Sequence, residues 1–332
     1  EVLRLTIDAV LRRIKDHPDY LFYDVSQDDN KLYCECDKCR EIENRYGGTH
    51  AGLIIWFVNQ VAEAVDKVHP EARLGTLAYG YTRKAPTGIK PHKNITIRLC
   101  DIECCFAHPL EQCEKNVSFM EDLQAWSALT DNLYIWDYVV NYSHYINPYP
   151  NFAVLGRNIQ TFGRFGTQTV LELGQRHSPG GEFGDMKAWV IARLLWNPQQ
   201  DINQLTTEFI RDYYGKAAPY IQAYYDMCQR KVDANRHLYQ KTWIGDDFFS
   251  DKELAEARRL FNKAMDKAST EDIRTRVADV EAQVLYLQTL ASPTKSRLDG
   301  TEVKLIRYLQ KRKAYTREWE TSAEFLEGRP PI

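Results

Sequence analysis

No apolar run in this 332-residue chain approaches the roughly 18 residues a helix needs to cross a bilayer, so no membrane-spanning segment is expected. Basic charge is not in excess either. The 43 Lys and Arg stand against 46 Asp and Glu, a net of −3, which gives a phosphate backbone nothing to follow and removes nucleic acid as an expected partner. A GxxxxGKS/T loop and a GxGxxG turn are both missing, and with them the usual cradles for nucleotide phosphates. The GxSxG elbow of acyl-transfer serines is absent too. The histidines form no HxH or HExxH pair, which argues against a metal-dependent hydrolase. No repeat of 20–50 residues and no low-complexity segment interrupts the chain. It opens on Glu1 without Met or an apolar leader, so any targeting segment is expected to have been removed.

What is present is a globular composition, 44% hydrophobic and 27% charged, with 20 Tyr, 7 Trp and 13 Phe. Tyr and Trp join an apolar face to a polar tip, which suits hydroxyl-rich ligands and large cores alike. Short apolar stretches predict strands at 20–26, 73–79, 94–101, 133–137 and 168–174. Helical periodicity predicts most of the segments between them, starting with Leu3, Ile7, Val10, Leu11 and Ile14 on one face of the first helix. Beyond Gly184 the pattern is helical, at about 185–195, 201–232, 250–292 and 301–323. Strands separated by helices imply a parallel sheet with helical crossovers. The expected fold is α/β, a (β/α)8 TIM-like barrel whose first three strands lie upstream of this chain, followed by an all-helical C-terminal region. An open five-stranded sheet is the rival. The expected division is a barrel portion over 1–198 and a helical region over 199–332.

Reacting groups in parallel α/β folds gather at the carboxyl ends of the strands. Those ends carry Asp28 and Asp29, Tyr79, Asp101 and Glu103, Asp137, and Glu172. Glycoside cleavage needs two carboxyl groups flanking the bond, and this set can supply them. Asp28, Asp29 and Asn30 are equally suited to capping a turn, and Asp137 to pairing with Arg98 on the neighbouring strand. Glu172 lies within the apolar run Val170, Leu171 and Leu173, where an ionised carboxylate is costly without a purpose or a partner. It is the leading catalytic candidate, with a partner among Glu103, Asp137 and Asp29.

Residues 133–152 hold seven aromatics in twenty positions. Those after Tyr138 fall in a loop with Asn141 and His144, either as a sugar-stacking wall or as anchors of the loop itself. Asp28, Tyr79, Trp136, Tyr138, Asn141, Tyr142 and His108 are the candidate substrate contacts. Cys34, Cys36 and Cys39 cluster after the first strand, and Cys104, Cys105 and Cys113 crowd the loop after the third. Three thiolates of the first group with one from the second would make a tetrahedral zinc site, and an oxidising compartment would make disulfides instead. Both readings are structural, and no cofactor is required for the chemistry.

Six pieces, in order, carry a resemblance: VSQDDNKLYCECDKC (25–39), LAYGYTRKAPTGIKPHKN (77–94), LCDIECCFAHPL (99–110), LYIWDYVVNYSHYINPYPN (133–151), VLELG (170–174), and WVIARLLWNP with DYYGKAA (189–198, 212–218). Over roughly residues 20–230 the chain resembles a family first catalogued as a domain of unknown function, DUF4838, common in gut Bacteroidetes and overlapping glycoside hydrolase family 163. The resemblance implies a (β/α)8 barrel and a retaining endo-β-N-acetylglucosaminidase acting on complex N-glycans. It implies strand-end acids at Asp29, Glu103, Asp137 and Glu172, and a periplasmic, extracellular or surface-lipoprotein location. A glycan-binding protein that keeps the scaffold without the chemistry is the alternative. A zinc-holding structural module with an assembly role for its helical tail is a third reading.

Overall fold

A computed structural model of the chain describes residues 1–175, 181–242 and 248–317. Helix α1 (Val2–Asp16) leads into β1 (Tyr23–Asp24), α2 (Asp37–Arg45), α3 (His50–Asp66), β2 (Leu74–Ala78) and β3 (Ile95–Cys100). Then come α4 (Val117–Leu129), β4 (Leu133–Tyr138), α5 (Phe152–Arg164), β5 (Thr169–Leu173) and α6 (Gly184–Trp196). The remainder is helical: α7 (Ile202–Tyr214), α8 (Ala218–Gln229), α9 (Asp251–Lys267), α10 (Glu271–Ala291), α11 (Pro293–Leu298) and α12 (Thr301–Arg312).

The strands pair parallel in one sheet of order β1-β2-β3-β4-β5. Doubly wound sheets reverse their strand order at a switch point, whereas consecutive strands of a (β/α) barrel stay neighbours. The order here is of the second kind. The fold is therefore α/β with a barrel-like parallel sheet and a helical C-terminal region.

Two compact units make up the described chain. The first comprises 1–102, 114–137 and 161–171, and the second 103–113, 138–160 and the residues from 172 on. In the first unit α3 turns Ala51, Ile55, Val58, Ala62 and Val65 inward, and Thr49 caps it by accepting the Gly52 N–H at 3.3 Å. Leu74 of β2, Ile95, Ile97 and Leu99 of β3, and Leu133 and Ile135 of β4 are all but inaccessible to solvent. Register fixes this pattern: Leu74 opposes Ile95, and Ile97 opposes Leu133, so these apolar side chains share one face of the sheet, with Thr76 buried among them opposite Ile97. The second unit holds the helical bundle, with Ala282, Leu285, Tyr286, Leu305 and Leu309 in a core that also takes Ile146.

Several elements depart from the sequence expectation for local reasons. The first strand shrinks from the expected 20–26 to Tyr23–Asp24, because Ser26 Oγ rather than a backbone carbonyl accepts the Leu77 N–H, at 3.1 Å, and the ladder ends there. Helix α2 has few apolar residues to betray it; its sequence, DKCREIENR, is polar apart from Cys39 and Ile42. The expected helix 201–232 breaks at Gly215, which takes φ +52°, ψ −124°, a conformation side chains with a Cβ rarely adopt. The expected helix 250–292 divides at Thr270, whose side chain accepts the Ile273 N–H and restarts the chain as α10. Helix α9 begins with a reciprocal cap, Ser250 accepting from Glu253 N while Glu253 accepts from Ser250 N at 2.8 Å. The last expected helix ends at Arg312, and its positions 318–323 lie outside the described residues.

Gly215→Ala is expected to cost about 1–3 kcal/mol, since the added Cβ would meet only Ile273 at van der Waals distance and the penalty is backbone strain. Urea denaturation of the two proteins measures it, and an unchanged midpoint would show that the helix break does not depend on glycine.

Candidate functional site

In the first unit the two faces of the sheet differ in chemistry. Alternation puts Ile97 and Leu99 with Leu133, Ile135 and Asp137 on the inaccessible face, where Asp137 is 2% exposed. The opposite face carries Asp24, Arg98, Cys100, Tyr134 and Trp136, and of these Arg98, Tyr134 and Trp136 are half-buried and Asp24 is exposed. Arg98 spans this face. Its guanidinium pairs with the Asp24 carboxylate, reaches Ser26 Oγ at 3.5 Å, and lies 5.8 Å from the centre of the Trp136 ring. The expected Arg98–Asp137 pair is thus replaced by Arg98–Asp24, because residues of opposite parity point to opposite sides of a strand. The Trp136 indole N–H is shielded from solvent and finds no acceptor among the described residues.

At the carboxyl edge, Asp101 follows β3 as Asp137 ends β4, and the Asp101 N–H donates to Trp136 O at 3.3 Å. Both aspartates are buried. The loops after β1 and β2 are tied together: Gln27 Nε2 donates to Tyr79 O at 2.9 Å and Thr82 Oγ1 donates to Gln27 Oε1. Tyr79 therefore contributes its backbone to the loop tie. Asp28 is a turn former as well as a candidate contact, accepting from Asp29 N at 3.1 Å and Asn30 Nδ2 at 3.0 Å. Asp28 and Asp29 are exposed. Beside them Tyr33 packs on His50 (3.9 Å between centroids) and Tyr81 (5.3 Å), and burial and the Asp28 charge raise the Tyr81 pKa. Residue spacing gave no signal for this trio, because its members come from three separate segments.

Cys34, Cys36 and Cys39 come together at the start of α2, their sulfurs within 4.8 Å of one another. The Cys39 backbone N–H, the main influence, lowers the Cys36 pKa at this helix N-terminus, while burial raises Cys39 to about 12. Three convergent thiols fit a thiophilic metal, and no fourth Cys, His or carboxylate joins them among the described residues.

The second unit holds the other sequence candidates. Glu103 is exposed, and Glu172 is half-buried in β5 with both carboxylate oxygens shielded from solvent. Tyr138, Tyr142, Tyr145 and Tyr149 are each less than a tenth exposed, and Tyr138–Tyr142 and Tyr142–Tyr145 meet edge to face. Asn141 is buried, donating to Thr242 O and accepting from Ser143 N. His108 sits between Cys105 and the Asp233 carbonyl. Sequence reasoning missed Glu182 and Lys187, a buried ion pair at 2.5 Å. Lys187 also donates to Val139 O at 3.1 Å, fixing the residue that follows β4, and its ammonium lies 5.2 Å from the Phe152 ring centre. Burial pushes the Glu182 carboxyl up to about 7 against the pull of Lys187, and burial lowers Lys187 in turn. Phe183, next in sequence, takes a left-handed φ of +46°.

The comparison that bears on identity is a family model. The model described as "Domain of unknown function (DUF4838)" matches residues 1–226, about two thirds of the chain. The chain belongs to this family. The match runs through all five strands and ends within α8, so the family covers the parallel sheet and the first two helices of the C-terminal bundle. No curated protein matches the chain.

Replacing Lys187 with Met is expected to cost about 3–5 kcal/mol by leaving the Glu182 carboxylate buried without a cation. Adding Glu182→Gln, which keeps an acceptor for the Tyr149 N–H, is expected to restore most of that loss. Thermal melts of the single and double variants decide it; a double-variant loss equal to the sum of the two single losses would show that the two side chains are not coupled.

Proposed function

We propose that the protein is a glycoside hydrolase acting on complex glycans, of the retaining endo-β-N-acetylglucosaminidase type, in a periplasmic or extracellular setting. The observation that carries this reading is the presence of acids at the carboxyl ends of four of the five parallel strands: Asp28 and Asp29 after β1, Asp101 after β3, Asp137 in β4 and Glu172 in β5. In this reading Glu172 is one catalytic carboxyl and Glu103, Asp137 or Asp29 the other. One carboxylic acid protonates the leaving oxygen while a second carboxylate, or a substrate acetamido group that an Asp orients, attacks the anomeric carbon. The half-open sheet face adds Trp136 as a stacking surface and Arg98 and Asp24 as hydrogen-bonding groups for hydroxyls, and a sugar on that face would take its second carboxyl from Glu103 or Asp29 rather than from Asp137 on the opposite face.

The same reading includes a complete (β/α)8 barrel, with further strands joining the two sheet edges. Its support is local. Strand β5 is exposed at Thr169 and half-exposed over the rest of its length, and a groove of about 890 Å³ runs along the β1 edge between Leu5, Val10, Phe22 and Val25. Unpaired parallel edges are normally covered, and barrel closure removes them.

Digestion of a glycan array with mass-spectrometric detection tests the activity, using the protein with any strands that adjoin it. Glu172→Gln is expected to reduce glycan release at least ~100-fold, the usual scale for losing an acid–base group, with folding unchanged by circular dichroism. Unchanged release would remove Glu172 from the chemistry. Retained glycan binding with no turnover by the unmodified protein would favour a binding function over a hydrolytic one.

A further inference from the structure

We infer that Cys105, His108, Cys113 and His237 form a structural zinc site, separate from the Cys34 cluster and independent of the hydrolase reading. Three of the four come from the loop 103–113, between β3 and α4, and the fourth from the segment that follows α8. All belong to the second unit, and their ligand atoms lie within 4.8 Å of one another.

The separations match a tetrahedral centre. Zinc bonds of about 2.3 Å to sulfur and 2.0–2.1 Å to nitrogen place neighbouring S and N ligands ~3.6 Å apart at the tetrahedral angle. Cys105 Sγ is 3.4 Å from His108 Nδ1 and 3.3 Å from His237 Nδ1, and Cys113 Sγ is 3.9 and 3.7 Å from the same two atoms. All four sulfur–nitrogen edges thus bracket the expected value. A chance meeting of two thiols and two imidazoles has no reason to direct both Nδ1 atoms at both sulfurs.

The ring of His108 is set for this role. Its Nε2 lies 2.8 Å from the carbonyl oxygen of Asp233. A carbonyl only accepts, so Nε2 carries the proton and Nδ1 presents its lone pair to the sulfurs. Outer hydrogen bonds of this kind fix the tautomer of metal-binding histidines. Asp233 is itself held, its carboxylate accepting the N–H groups of Asn235 and Arg236 at 2.8 and 3.1 Å, in the turn that leads to His237.

Two thiolates and two neutral imidazoles neutralise a divalent cation and close its coordination, so the site is structural and leaves no position for substrate. On binding Zn²⁺ the two thiols release their protons to solvent, and affinity falls on acidification. The metal would pin the 103–113 loop, which has no helix or strand of its own, to the segment around Leu238, where the Phe106 N–H already donates to Leu238 O at 2.8 Å. The sequence expectation takes one of Cys104, Cys105 and Cys113 as the fourth ligand of the Cys34 cluster; in the folded chain Cys105 and Cys113 meet histidines 3 to 132 positions away.

The test uses the full chain carrying C34S, C36S and C39S, purified with zinc and analysed by elemental mass spectrometry. One equivalent of zinc is expected, with tetrahedral d–d and thiolate charge-transfer bands after replacement by cobalt. His237→Ala and Cys113→Ser added to that background are expected to lose the metal, and chelation to lower the melting temperature. Zinc below about a tenth of an equivalent in the triple variant overturns the site, as does full zinc in both added variants. A Cys105–Cys113 disulfide found by peptide mapping of the freshly purified triple variant also overturns it. If the added variants do not fold, the cobalt spectrum of the triple variant still decides, since octahedral bands without thiolate charge transfer refute the assignment.

Discussion

Parallel strands cannot be joined by tight turns. Each must be followed by a connection that returns the chain to the start of its neighbour, and in this protein those connections leave the carboxyl edge of the sheet as long irregular segments. Irregular backbone at a packed edge needs its polar groups satisfied and its entropy offset by something other than a helix or a ladder. Much of the chemistry in the protein answers that need. Gln27 and Thr82 tie the first two loops, the Asn30 side chain turns the chain toward Leu32, and Lys187 takes the Val139 carbonyl where the fourth strand ends.

The same constraint explains why so many aromatic and sulfur-bearing residues follow strand ends. Tyr142, Tyr145 and Tyr149 give the loop after β4 a core of its own, and the Cys105–His237 cluster draws together a loop and a segment more than a hundred residues apart. Side chains that would mark a ligand wall on a flat reading are, in the second unit, buried against one another within the loop. The half-open sheet face of the first unit is different. There Arg98 is held between Asp24 and Trp136 on a surface that solvent reaches, and polar and aromatic groups lie side by side.

Strand positions and the helical tail were legible because burial imposes period on sequence. Leu74, Ile95, Ile97 and Leu133 sit in short apolar runs and fall together on the buried face of the sheet. Glu172 stood out for the converse reason, as an acid inside such a run. Helix α2 was hidden, since only Cys39 and Ile42 of its nine residues are apolar, and so was the Glu182–Lys187 pair, because nothing in a charged residue's identity says that it is buried.

From its sequence alone the chain determined an α/β fold with five parallel strands, membership of its family, and the acids that terminate those strands; each follows from local periodicity or from motif order, which the chain carries along its length. Tertiary structure alone decided which face each acid takes and which partner each group meets. Asp137 turned from Arg98 because strand parity separates them, and Cys105 met His237 because folding brings distant loops to one place. Pairings of that kind depend on distance through space, and a linear sequence does not contain it.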